Sequence, residues 1–256
     1  MIRRIREHVA GHNWFAVTID LAIVVVGVFL GTQVNNWNQA RIDRERAASY
    51  RQRLVDELTF NSRQFRQQIA YYETAKRHGL AALSSLEAVH EGTGEAFVID
   101  AYQATQIDLS PPKRFIFSEM VSAGLVGLLG RESLQEMASD YYLSLAANEP
   151  QMLESPPYRD ILRRVMPYAV QARIRERCGD RIVYHGKQPI GVTLPEYCTL
   201  GLAVGQIGEA VDKVQKVPGI AADLTRYLSA LDQKLALLRG TARQTDELAA
   251  ALRKRD

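Results

Sequence analysis

The strongest feature along the chain is an apolar stretch, WFAVTIDLAIVVVGVFLGTQVNNW, running from Trp14 to Trp37 with a single ionisable residue, Asp20. Its 23 residue steps, at about 1.5 Å each, reach roughly 34 Å, slightly more than the roughly 30 Å hydrocarbon core of a bilayer. Twelve Val, Ile, Leu and Phe side chains between Phe15 and Val34 favour insertion by roughly 4 to 7 kcal/mol, against about 2.5 to 3.5 kcal/mol for a central Asp. The pattern predicts a transmembrane helix over 14–37, a basic tail over 1–13 and a soluble helical domain over 38–256. Trp14 and Trp37 would then sit in the two interfacial belts, with Asn35 and Asn36 hydrogen-bonding at headgroup level. A cleaved signal peptide competes with this reading, because Arg3, Arg4 and Arg6 precede an apolar core, but no A-x-A pattern follows it.

Beyond the apolar stretch the period becomes helical. Residues 39–78 lack Pro and Gly, and Tyr50, Leu54, Leu58, Asn61, Phe65, Ile69 and Tyr72 recur at steps of four and three, which predicts one long amphipathic helix. Its other face carries Arg41, Arg44, Arg46, Arg51, Arg53, Arg63 and Arg66, a solvated face apart from cations near its start that could meet headgroups. The EGTGE stretch at Glu91–Glu95 predicts a return. Ser118 and Ser133 read as caps of helices over 118–129 and 133–147, and Pro167 as a break in a helix over 158–177. Between Cys178 and Cys198 two β-branched runs flank Gly186–Pro189, so a small hairpin is expected at about 180–195. Leu224, Leu228, Leu231, Leu235 and Leu238 mark a long last helix, broken at Gly240, that should pack on the first. The fold class expected is mainly α: one transmembrane helix plus a bundle with a β-hairpin insert.

Composition narrows the function. A formal net charge of +3 over 256 residues is no electrostatic case for nucleic acid. No G-x-S-x-G, H-E-x-x-H, P-loop, G-x-G-x-x-G or C-x-x-C motif occurs. No cofactor, metal or catalytic residue is expected. Cys178, Asp180, His185 and Cys198 are too few and too widely spaced for zinc. The two cysteines are read either as a disulfide closing a 20-residue loop or as unrelated core thiols.

On the predicted span, Gly27 and Gly31 form G-x-x-x-G, and Asp20 lies on the same stripe. Such a stripe packs against a partner helix, although Asp20 could equally reach interfacial water. The run from Asp20 through Gly27 to Gln33, Asn35, Asn36, Trp37 and Asn38, with the downstream segment Ser118–Leu125, resembles a family of uncharacterised bacterial single-pass membrane proteins whose anchor ends in Q-[IV]-N-N-W-N. The chain departs from that pattern at Asp20, where Glu is usual, and at Gly31, where Ala is usual.

That resemblance implies a membrane-anchored helical protein of the bacterial inner membrane and no known activity. The charge flanks give conflicting topology signals, and the short N-terminal tail favours a cytoplasmic N-terminus with the bulk periplasmic. Two functions are expected from different classes. One is a non-catalytic interaction or scaffold protein joining its own copy or another membrane protein through Asp20, Gly27 and Gly31. The other is a membrane-tethered receptor or enzyme with a small-molecule pocket between bundle helices, lined by Ser118, Glu119 and Ser122.

Overall fold

The long amphipathic pattern forms a single helix, α1, over Trp14–Glu87. The structure is a computed structural model describing residues 14–88, 94–154 and 156–254, with side chains from Ile19 onward except Asp20. The expected basic tail over 1–13 and the side chains of Trp14 and Asp20 lie outside the described residues. After α1 come α2 (Glu95–Gln103), α3 (Phe115–Ser122), a 3-10 turn (Val126–Leu129), α4 (Glu132–Leu153), α5 (Pro157–Val165) and α6 (Tyr168–Cys178). Strands β1 (Arg181–His185) and β2 (Gln188–Thr193) precede α7 (Val204–Gln215) and α8 (Ile220–Arg253). The chain divides into two compact units, residues 1–51 and 52–256.

In the first unit the expected membrane span is corrected: among the described residues no helix is long and apolar enough to cross a membrane. The uninterrupted apolar run is only Leu21–Leu30, ten residues including Gly27, or about 15 Å of helix, half of the roughly 30 Å a crossing needs. Beyond it Gly31, Thr32, Gln33, Asn35 and Asn36 dilute the apolar character. With the span go the single-pass topology, the inner-membrane location, the cytoplasmic N-terminus and the periplasmic bulk. The lipid bilayer, a membrane-protein partner and self-association through the span lose their basis with it. Asn35, Asn36 and Trp37 are exposed along α1, and a Cβ added at Gly27 or Gly31 would meet nothing within 4 Å. Among the described residues nothing packs against Gly27 or Gly31.

In the second unit α1 and α8 run antiparallel and are tied along their length. Thr59 accepts from Arg253, Ser62 donates to Asp246 and Arg66 pairs with it, Glu73 pairs with Arg239, and Lys76 pairs with Asp232. Each helix also carries a buried apolar stripe: Leu54, Leu58 and Phe65 on α1, and Leu224, Leu231, Leu235 and Leu238 on α8, are all nearly or fully buried. Gly240 does not interrupt α8, which runs on to Arg253. Ser118 and Ser133 are not caps, because α3 begins at Phe115 and α4 at Glu132. Pro167 does separate α5 from α6; it lacks the N–H that a continuous helix would need there.

The buried face of α1 is partly polar, and the segment 106–114 explains why. This stretch has no regular structure, and its Pro111 and Pro112 cannot donate to a ladder. Its backbone is satisfied by α1 side chains instead. Asn61 donates to the Lys113 carbonyl and accepts from the Lys113 N–H, both at 2.8 Å. Gln64 donates to the Ser110 and Pro111 carbonyls, Gln68 to Ser110, and the Tyr72 hydroxyl bonds Asp108. Buried backbone groups need partners, so these polar residues belong to the core.

The hairpin pairs Arg181 with Thr193 through His185 with Gln188, antiparallel. Gly186 turns it at φ +61°, a conformation that a side chain would resist. Cys178 and Cys198 form a disulfide across this insert, with Cα atoms 5.7 Å apart. The hairpin also docks on α1, where Gln67 donates to the Val192 carbonyl at 2.9 Å.

Candidate functional site

The expected pocket residues sit on α3. Ser118 and Ser122 are exposed, and Glu119 is held by Arg53 through two bonds of 2.6 and 3.3 Å. None of the three lines any of the clefts described below. The tyrosines behind them are core residues: Tyr142 stacks on Phe117 at 4.3 Å and donates to buried Glu57, while the Tyr141 hydroxyl accepts from Thr245. Tyr141 also edges an open hollow between α4 and α8, whose rim of Glu136, Asp140 and Glu247 is largely acidic. Asp180 receives the Tyr71 hydroxyl, and burial raises its pKa, whereas His185 is exposed on β1. Among the described residues no group of three or more His, Cys, Asp and Glu could hold a metal.

Two clefts have more defined chemistry. One, of about 300 Å³, lies beside the disulfide between α1, α2 and the segment after β2. At its edge buried His78 places Nδ1 2.6 Å from an Asp100 carboxylate oxygen and Nε2 3.2 Å from the Pro195 carbonyl. A carbonyl only accepts, so the contact with Pro195 needs its hydrogen on Nε2. The same segment is held by Arg77 on Glu196, by Glu95 accepting the Leu200 and Gly201 N–H groups, and by Arg173 donating to the Leu200 carbonyl. Of the cleft's side chains, the Thr74 hydroxyl is engaged by the Ala70 carbonyl and Arg77, Cys198 is in the disulfide, and Tyr197 is exposed. Bonded on one side to Asp100 of α2 and on the other to Pro195, His78 clamps the segment after β2 to the helices.

The second cleft, of about 180 Å³, is built where the end of α4 and the start of α5 meet α8. Pro156 and Pro157 set the entry to α5; Pro157 opens the helix, where its missing N–H costs nothing. On α8 the residues Asp223, Tyr227, Ala230 and Lys234 recur every three or four positions and so share one face. Tyr158 and Tyr227 stack with ring centres 6.0 Å apart, and the buried Tyr227 hydroxyl has no hydrogen-bond partner among the described residues. Lys234 is the chemically distinctive group. Its amine lies 3.4 Å from the Glu154 carbonyl and 5.1 Å from the centre of the Tyr72 ring. Burial lowers its pKa from the ordinary lysine range, and Glu154 only partly opposes that shift.

Nothing in the sequence marked this cleft. Lys234 is flanked by the leucines of an ordinary amphipathic stripe, and its partners come from residues 151–158, far away along the chain. No family model matches the chain, no curated protein matches it, and no solved structure matches it. The resemblance to bacterial single-pass membrane proteins, which rested on the Q-V-N-N-W-N segment and Ser118–Leu125, is thereby corrected: the short motifs stand alone without a family pattern around them.

Proposed function

We infer that the chain is a helical binding module for a small organic molecule with an apolar body and one polar oxygen, received in the Lys234 cleft. One observation carries this reading: a half-buried amine with hydrogen-bonding capacity to spare stands in a cleft whose walls include Pro156, Tyr158, Tyr227 and Leu231. Apolar walls with few convergent polar groups and a perturbed titratable residue are what small-ligand sites share. Aromatic and proline walls contribute contact area, and the amine supplies orientation. Binding without turnover is the reading the residues favour, since the cleft offers an amine but no base paired with a nucleophilic hydroxyl or thiol among the described residues.

The test is a heteronuclear NMR titration of the full chain with benzyl alcohol and with phenol. Shifts confined to residues 151–158 and 223–234, and lost in Ala230→Leu, support the site. Shifts that are absent, or that persist in Ala230→Leu, refute it.

A further inference from the structure

The environment of Lys234 differs from that of the other lysines. Lys76, Lys213 and Lys216 are paired with Asp232, Glu209 and Asp212 at 2.5 to 2.7 Å. Lys113 lies 3.5 Å over the Phe60 ring, and Lys187 and Lys254 are exposed. An ion pair keeps an amine protonated, and full hydration does the same near neutral pH. Lys234 bonds the Glu154 carbonyl oxygen, with the Glu154 carboxylate only partly opposing the effect of burial, and it sits half-buried against an aromatic face at the wall of a cleft that also holds Asp223 and Arg226. A desolvated amine loses its proton more readily, and only the neutral amine is a nucleophile.

We propose that Lys234 captures aldehydes or ketones of small apolar body as an imine inside this cleft, which rests on the cleft being the binding site inferred above. The ammonium first releases a proton to solvent. The nitrogen lone pair then attacks the carbonyl carbon, a C–N bond forms and the carbonyl π pair moves to oxygen. Proton shifts give a neutral carbinolamine; its hydroxyl takes up a proton and leaves as water as the C–O bond breaks. The nitrogen lone pair closes the C=N bond, and the last N–H proton goes to solvent. One amine and one carbonyl compound yield one imine and one water, with no oxidation or reduction. Tyr158, Tyr227, Pro156 and Leu231 give the product apolar contact within a lining that also carries Gln151, Glu154, Asp223, Arg226 and Gln233, and the apolar contact favours the dehydrated imine over its hydrolysis. The expelled water and the absence of any leaving group on the protein make the capture reversible.

The experiment incubates the full chain at pH 7 with benzaldehyde and sodium cyanoborohydride, which fixes an imine as a benzylamine, and maps the modified lysines by mass spectrometry over time. Lys234 is expected to be labelled more than about tenfold faster than Lys187 or Lys254, through its neutral fraction and the local concentration of bound aldehyde. Ala230→Leu, which keeps the lysine and fills the cleft, should bring Lys234 down to the surface rate. Equal labelling of Lys234 and Lys187 in the unmodified chain overturns the proposal. Benzyl alcohol, of similar shape but without a carbonyl, separates the two levels. If it binds the cleft while labelling is uniform, imine capture alone is refuted; if it does not bind and labelling is uniform, the binding reading fails as well.

Discussion

Replacing both Cys178 and Cys198 by alanine tests how the insert is held. The bond joins residues 20 apart in sequence, and for a loop of that length the chain-entropy relation gives about 3.3 kcal/mol of stabilisation at 25 °C. The folded state has little reason to change shape when the bond is gone. His78 still grips the Pro195 carbonyl, Glu95 still holds the Leu200 and Gly201 N–H groups, and Gln103 still donates to the Cys178 carbonyl at 2.6 Å. The effect should therefore fall mainly on the unfolded chain, which becomes freer and exposes more surface. In urea unfolding followed by circular dichroism, the double variant is expected to lose about 3 kcal/mol, with a steeper denaturant slope. In a thermal melt the same change lowers Tm by roughly 7–13 °C for a chain of this size. A loss below about 1 kcal/mol with an unchanged slope would refute this reasoning, because it would mean the crosslink does not constrain the unfolded ensemble.

Other perturbations probe the buried polar groups. Glu57→Ala leaves the Ile116 N–H and the Tyr142 hydroxyl without their acceptor, so a loss of about 2–4 kcal/mol in urea titration is expected, and Glu57→Gln, which retains one acceptor oxygen, should lose less. His78→Leu strands the Asp100 carboxylate and the Pro195 carbonyl; a double-mutant cycle with Asp100→Leu should return a coupling of about 1–3 kcal/mol, and additivity would show that the clamp contributes nothing. Lys234 gives a pH dependence with a definite sign. Its folded pKa lies below the unfolded value of 10.5, so the folded state binds fewer protons and stability rises with pH between the depressed value and 10.5. Below that window both states are charged and the full burial cost stands. Lys234→Met is therefore expected to be more stable than wild type at pH 7 and to lack that rise, as melts at stepped pH would show.

Much of the second unit was legible from periodicity, because a helix that buries one stripe writes that stripe every three or four residues. Leu54, Leu58 and Phe65 on α1 and Leu224, Leu231 and Leu235 on α8 are buried in the places that spacing indicates. The turn at Gly186 and the break at Pro167 were equally readable, since both express backbone limits carried by a single residue. Helix starts were not readable from serine alone: Ser118 and Ser133 fall inside helices because the hydrophobic demand of Phe117 and Leu134 outweighs a weak cap preference. Summed hydrophobicity pointed to a span over residues 14–37, yet among the described residues no helix is long and apolar enough to cross a membrane.

The amino-acid sequence by itself determined the helical class, the apolar seams, the hairpin and the absence of familiar catalytic motifs, because each follows from local spacing. Tertiary structure alone decided which polar residues are buried and what they touch. Asn61, Gln64 and Gln68 have the composition of a solvated helix face, and they are core because the proline-bearing segment at 106–114 brings backbone groups that need partners. Lys234 likewise becomes distinctive only when Glu154, Pro156 and Tyr158 arrive from another part of the chain to remove its water. Desolvation depends on distant segments meeting in space, and no one-dimensional pattern records that meeting.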